Sequence, residues 1–187
     1  MKSKKIIIKT SSQKYPIIIG SDLISKLSYI FKKNSVNFKK CLLIIDIGVP
    51  KKFISKIKKS LKNQKTYLYF ILTNEKNKNQ KTVNKIIDFL LKKNFSRQDC
   101  LITIGGGITG DIGGFAASLF KRGIQYINLP TTLLAQVDSS IGGKTGVNTI
   151  HGKNTIGSFY QPKIVISDSS FYKLFLKEKL FVVMVKF

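Results

Sequence analysis

The amino-acid sequence predicts an α/β domain with a largely parallel sheet and flanking helices, on three observations. Apolar runs of strand length alternate with amphipathic runs of helical length as far as Leu129. One apolar run leads directly into a glycine-rich loop. No internal repeat or low-complexity linker interrupts the alternation. Strands separated by helix-length segments need crossover connections, and crossovers make neighbouring strands parallel.

The elements follow in order. Residues 6–8 and 15–19 read as two short strands joined by the polar turn at 10–13, a hairpin. Gly20, Ser21 and Asp22 supply an N-cap for residues 23–31, whose apolar positions recur at helical spacing. Residues 42–45 form a buried-strand run ending at Asp46, and 53–61 repeat the helical period. Residues 66–72 are another strand, followed by the polar segment 73–81 and an amphipathic helix over 83–91. Residues 101–104 make a strand that enters the glycine loop, and 124–129 one more strand after an intervening helix. After Asp168 the pattern changes: residues 171–187 are apolar and lysine-rich, with no glycine.

Composition narrows the class. With 187 residues, the chain is one domain or one domain and part of another. A hydrophobic content of 43% supports a buried core and excludes a disordered polymer. The net charge of +24 invites a nucleic-acid reading, but only Arg97 and Arg122 among the 33 basic residues are arginines. The lysines stand in short runs between apolar residues, as solvated faces do, and Lys, Ile, Asn, Phe and Tyr all have A/T-rich codons. A specific nucleic-acid partner is therefore not expected. Cys41 and Cys100 each open an apolar run and read as buried strand-start thiols. No run approaches the ~18 apolar residues of a membrane span, and the N-terminal apolar run is too short for a signal peptide. The expectation is a soluble, reduced, cytoplasmic protein.

Two segments carry chemistry. The first, Gly105-Gly-Gly-Ile-Thr-Gly-Asp111, contains Gly-x-Gly-x-x-Gly after a strand. Glycines there let backbone N–H groups approach phosphate oxygens at a helix N-terminus. The acidic residue that the Rossmann pattern places ~20 positions later is missing. The loop thus binds phosphate or a dinucleotide in another arrangement, or is only a tight strand-to-helix turn. The second segment, residues 129–148, continues into Gly152-Lys-Asn-Thr-Ile-Gly157 and Phe159-Tyr-Gln-Pro162. Hydroxyls, a carboxylate, an amide and the cations Lys144 and Lys153 crowd this glycine-permissive loop, and with Arg122 these cations can clamp an anion. Leu133, Leu134 and Val137 are expected to anchor the loop to the core.

The run from Gly105 to Pro162 resembles the signature region of the 3-dehydroquinate synthase family: a GGGxxGD loop, then PTTLLAQVDSSxGGKTxVN, then GKNxIGxFYQP. Outside it the likeness is thinner and spans residues 1 to about 170, with Glu75-Lys-Asn-Lys78 similar to a Gly-Glu-x-x-Lys stretch in which Asn74 replaces the glycine. The resemblance implies a dehydroquinate-synthase-like nucleotide-binding domain over residues 1–168. It implies NAD contacts at Asp46, Glu75, Lys78, Gly106, Gly107, Asp111, Thr131, Thr132, Asp138 and Lys153, and substrate contacts at Arg122, Asp138, Lys144 and Asn154. The implied enzyme is a carbon–oxygen lyase of the shikimate route. It turns a phosphorylated seven-carbon sugar acid into 3-dehydroquinate, using NAD and a divalent ion, zinc or cobalt. Related sugar-phosphate cyclases, a non-catalytic remnant and the cofactor-binding half of a split enzyme remain alternatives.

In that family one Glu and two His of a C-terminal helical domain hold the metal. His151 is the single histidine here, and no Glu follows Glu178. No metal ligand is therefore assigned, and residues 169–187 read as a truncated or out-of-frame start of that domain. A homodimer or a separately encoded C-terminal domain is the expected protein partner, and the chain alone is expected to be inactive.

Overall fold

The computed structural model describes residues 3–11 and 13–172. The predicted alternation becomes a seven-stranded sheet with helices on both faces. Strands β1 (Lys4–Lys9) and β2 (Lys14–Gly20) form the antiparallel hairpin expected from the sequence. A 3-10 turn (Leu23–Lys26) leads into α1 (Leu27–Lys33). Then follow β3 (Lys40–Asp46), α2 (Lys51–Ser60), β4 (Lys65–Ile71), α3 (Gln80–Lys92), β5 (Cys100–Gly105), α4 (Gly107–Leu119) and β6 (Gln125–Pro130). A second antiparallel hairpin, β7 (Lys144–Thr149) and β8 (Gly152–Phe159), precedes β9 (Ile164–Asp168).

The sheet order is β1-β2-β9-β6-β5-β3-β4, and every pairing except β1 with β2 is parallel. From β3 the chain steps outward to β4. It then crosses back to β5 on the other side of β3 and continues to β6. The direction of winding thus reverses between β3 and β5, and a crevice opens there at the C-terminal strand ends. Strand β9 was not anticipated; it inserts between β6 and β2 and joins the hairpin to the rest of the sheet.

Alternation along the strands supplies both cores. On one face Cys41, Leu43, Ile45, Ile102 and Ile104 pack against Leu27, Phe31, Phe53 and Ile57 of α1 and α2. On the other, Leu42, Ile44 and Leu101 pack against Val83, Ile86 and Leu90 of α3 and Ile112, Phe115 and Ala116 of α4. Each such fully buried Leu, Ile or Phe contributes about 1.5–3 kcal/mol. Helix α4 is glycine-rich because it lies close on the sheet. A Cβ on Gly113 would stand 2.1 Å from the Thr103 methyl, so the close approach outweighs the ~1 kcal/mol helical cost of glycine. Both cysteines are fully buried and free, and desolvation pushes the Cys41 thiol up to about 11 and Cys100 well above its ordinary value.

Three expectations are corrected. Asp22 does not cap the first helix: its φ is +56°, and its carboxylate takes the Ser25 hydroxyl and the Lys56 ammonium instead. The buried carboxylate of Asp168 takes the role, accepting from the Asp22, Ile24 and Ser170 N–H groups at 3.0, 3.0 and 2.9 Å. A charge at the end of β9 thus replaces a local cap. Residues 129–162 are not one loop, because β7 and β8 organise their second half. Leu133, Leu134 and Val137 do not anchor to the core; they are 59%, 69% and 63% exposed. The anchor is polar: the Gln136 side chain donates to the carbonyls of Pro130 and Asp168 and accepts from the Ser167 hydroxyl. Most of the reading of 169–187 lies outside the described residues.

Candidate active site

The crevice between β3 and β5 gathers the first group of predicted residues. Asp46 ends β3, and Gly105 ends β5 beside it; a Cβ on Gly105 would come within 3.0 Å of the Asp46 Cβ. The Asp46 carboxylate is oriented by the Gly48 N–H at 2.8 Å and by the Thr73 hydroxyl. Gly106 is the N-cap of α4, and Gly107 its first residue, so the loop presents free N–H groups at the positive end of a 13-residue helix. Above Gly106 a Cβ would meet only the Thr132 methyl at 3.4 Å, an ordinary contact. Thr131 is buried, its N–H donating to the Gly105 carbonyl at 2.8 Å, and the Thr132 hydroxyl accepts from the Ala135 N–H at 3.3 Å. The loop floor is a buried polar network. Tyr126 donates to the Gly110 carbonyl and meets the Thr103 hydroxyl, both at 3.1 Å, and Thr103 donates to Asn128 at 3.0 Å.

The second group lies across α4. Lys78, only 5% exposed, places its ammonium against the Asp111 carboxylate and 2.5 Å from Asn154 Oδ1. Desolvation raises the Asp111 pKa despite the opposing effect of the Lys78 ammonium, and Glu75 pushes the same way as desolvation. A cavity of about 570 Å³ opens beside this pair. Asp111, Asp138, Ser139, Lys144, Thr145 and Asn154 are among its lining residues. Asp138 sits in the short π-type turn Ala135–Ser139, and Lys144 opens β7 with an exposed side chain. Carboxylates, a cation, an amide and hydroxyls thus face one space beside a helix N-terminus. That arrangement can hold an anionic, hydroxylated ligand and orient its alcohols.

Arg122 and Lys153 are not among the lining residues. Arg122 is exposed with φ +63° in the turn after α4, and Lys153 is exposed on β8. His151 is exposed in the β7–β8 turn. Sequence reasoning missed Asn148, whose carboxamide joins Glu75 to the backbone of Asn154 at 2.7 and 2.9 Å. Only its place in the signature run marked it. Among the described residues no three His, Cys, Asp or Glu side chains come together as a metal site, and no helix is long and apolar enough to cross a membrane.

This architecture has relatives of known structure. The 2-deoxy-scyllo-inosose synthase complexed with carbaglucose-6-phosphate, NAD+ and Co2+ superposes with a TM-score of 0.83 at 26% identity, over 90% of this chain and 46% of that one. The 2-epi-5-epi-valiolone synthase of Streptomyces hygroscopicus, with NAD+ and Zn2+ bound, gives 0.76 at 26% identity, over 89% and 46%. An iron-containing alcohol dehydrogenase at 17% identity and a TM-score of 0.68 shares the fold alone.

In sequence, the chain is 57% identical over 167 residues to the 3-dehydroquinate synthase of Pelagibacter ubique, covering 89% of this chain and 45% of that protein. It is 40% identical over 176 residues to that of Bartonella tribocorum, covering 91% and 47%. The chain therefore spans about half the length of the curated relatives it matches. The family profile described as 3-dehydroquinate synthase N-terminal matches residues 68–181, a stretch that holds the glycine loop, the β7–β8 hairpin and every residue that lines the cavity. By that match the chain belongs to the 3-dehydroquinate synthase family.

Proposed function

We propose that this chain is the nucleotide-binding part of a 3-dehydroquinate synthase, which converts 3-deoxy-D-arabino-heptulosonate 7-phosphate to 3-dehydroquinate with release of phosphate. The observation that carries the reading is the cavity in which Asp138, Lys144 and Asn154 stand beside the N-terminus of α4. The 57% identity to a 3-dehydroquinate synthase, against 26% to the two other cyclases, favours this substrate.

The residues present fit NAD. Gly106 and Gly107, at the start of α4, would offer a pyrophosphate backbone N–H groups. Asp46, held by Thr73 and Gly48, keeps lone pairs for a ribose hydroxyl. Thr131, Thr132, Glu75 and Lys153 complete the contacts that the family resemblance implies. Bound NAD would take a hydride from a ring alcohol and later return it. Lys144 would hold an anionic group of the substrate, and Asn154 and Asp138 would orient its hydroxyls. Arg122 would reach an anionic group only from outside the cavity wall. The divalent ion has no ligand set among the described residues.

Phe159, 78% exposed, and Ile141 line the cavity, and Leu133, Leu134 and Val137 stand exposed in the segment that leads to Asp138. A second polypeptide half covering this apolar rim would exclude water and strengthen every charge interaction beneath it. The test is phosphate release from the seven-carbon substrate with NAD and zinc or cobalt present. The chain alone should show no turnover. Adding a separately expressed C-terminal half should restore it, and Lys144→Ala should abolish the restored activity. Turnover by the chain alone, or restored turnover insensitive to Lys144→Ala, would overturn the reading.

A further inference from the structure

The register of the β7–β8 hairpin slips once. Val147 faces Ile156 and Thr149 faces Gly152, so Asn148 alone stands opposite Lys153, Asn154 and Thr155. A bulge leaves backbone groups of the longer strand without ladder partners and turns a side chain in a new direction. Asn154 is the residue turned: its φ is +56°, a left-handed conformation that Asn tolerates better than most residues.

The group that holds it there is Asn148. Its Oδ1 accepts the Asn154 N–H at 2.9 Å, and its Nδ2 donates to the Glu75 carboxylate at 2.7 Å. Its own N–H donates to the Lys78 carbonyl at 2.8 Å, and it forms a parallel bridge with Asn79. Both ends of one carboxamide are therefore used, one on Asn154 and one on Glu75. Asn154, so placed, meets Lys78 and lines the cavity, whereas Asn148 does not line it.

We propose that Asn148 is a positioning residue that sets Asn154 and Glu75 relative to one another, and so aligns the substrate wall with the cofactor wall. This rests on the reading of Asn154 and Glu75 given above. The residue type follows from the geometry: an acceptor must face Asn154 and a donor must face Glu75. Aspartate keeps the acceptor but sets a second carboxylate against Glu75; leucine, of similar shape, keeps neither.

The test uses the full chain, with amide hydrogen exchange and calorimetric titration of NAD as independent readouts. In Asn148→Leu, exchange at the Asn154 amide should rise about tenfold while the amides of β3 and β5 keep wild-type protection. In Asn148→Asp, Asn154 should stay protected while NAD affinity falls about tenfold. Unchanged Asn154 exchange in the leucine variant, or a uniform rise across all strands, would overturn the proposal. Wild-type NAD affinity in the aspartate variant would overturn its Glu75 half. A wild-type chain that binds no NAD would remove the cofactor reading itself, and exchange at Asn154 would then decide the placement alone.

Discussion

The two ends of the parallel sheet both carry clefts, and the larger one is at the wrong end for chemistry. At the N-terminal strand ends a cleft of about 1010 Å³ is lined by Lys32, Lys39, Lys40, Lys65 and Asp99 among others. Lys40, Asp99 and Gln125 there are already engaged in closing the structure. Lys40 donates to the carbonyls of Asn94 and Lys93 at 2.6 and 3.3 Å, pairs with Asp99 at 3.5 Å and lies over the Phe95 ring. Gln125 donates to the carbonyls of Asn37 and Gln98. At the C-terminal ends the cavity is about half that size. There the glycine-loop N–H groups remain free of side-chain caps, and Lys144 is exposed toward the space. Convergence of unspent donors distinguishes a binding end from a structural end, and cleft volume does not.

The largest expected effect separates fold from site within the glycine loop. A Cβ on Gly105 would fall 2.1 Å from the Thr109 hydroxyl oxygen, so Gly105→Ala should cost about 1–3 kcal/mol in denaturant unfolding. Gly106→Ala meets only an ordinary contact and should leave stability within about 0.5 kcal/mol while weakening NAD binding about tenfold. Equal destabilisation by the two substitutions would break the distinction.

A smaller effect contrasts the ends directly. Lys40→Ala should lower stability by about 1 kcal/mol, because it strands two carbonyls, and should leave NAD affinity unchanged by calorimetry. Lys144→Ala should leave stability at the wild-type value, because its side chain is exposed. Loss of NAD binding on removing Lys40 would show that the lower cleft belongs to the site.

The smallest effect is a pH dependence at the upper end. Burial raises the Asp111 pKa, so folding favours its protonated form. Its stabilising contribution is complete below the unfolded-state carboxylate value and is lost as pH rises through the raised folded-state value. Asp111→Asn should therefore gain stability relative to the wild type between acid and neutral pH, as read from paired urea titrations. A gap that narrows with rising pH would show that the Lys78 ammonium outweighs desolvation.

The elements through β6 were legible because each rests on a local signal. Continuous apolar runs such as residues 42–45 and the helical spacing of 83–91 are complete within one segment. The exposed apolar turn at Leu133, Leu134 and Val137 was misread for the same reason: hydrophobicity marks what can be buried, while burial depends on what packs above it. The replacement of the Asp22 cap by Asp168 could not be read locally, since the partners are 146 and 144 positions apart.

Taken by itself, the sequence determined the alternation of strands and helices, the glycine loop at a strand end and, through its signature run, the family. Those depend on periodicity and on motif, both of which are written in consecutive residues. The tertiary structure alone decided which residues share the site. Asn148 and Glu75 meet across 73 positions and Lys78 and Asn154 across 76, joined by a bulge and by the packing of α4. Such contacts form only when loops close and strands take register, so their cost and reward are properties of the whole fold rather than of any segment.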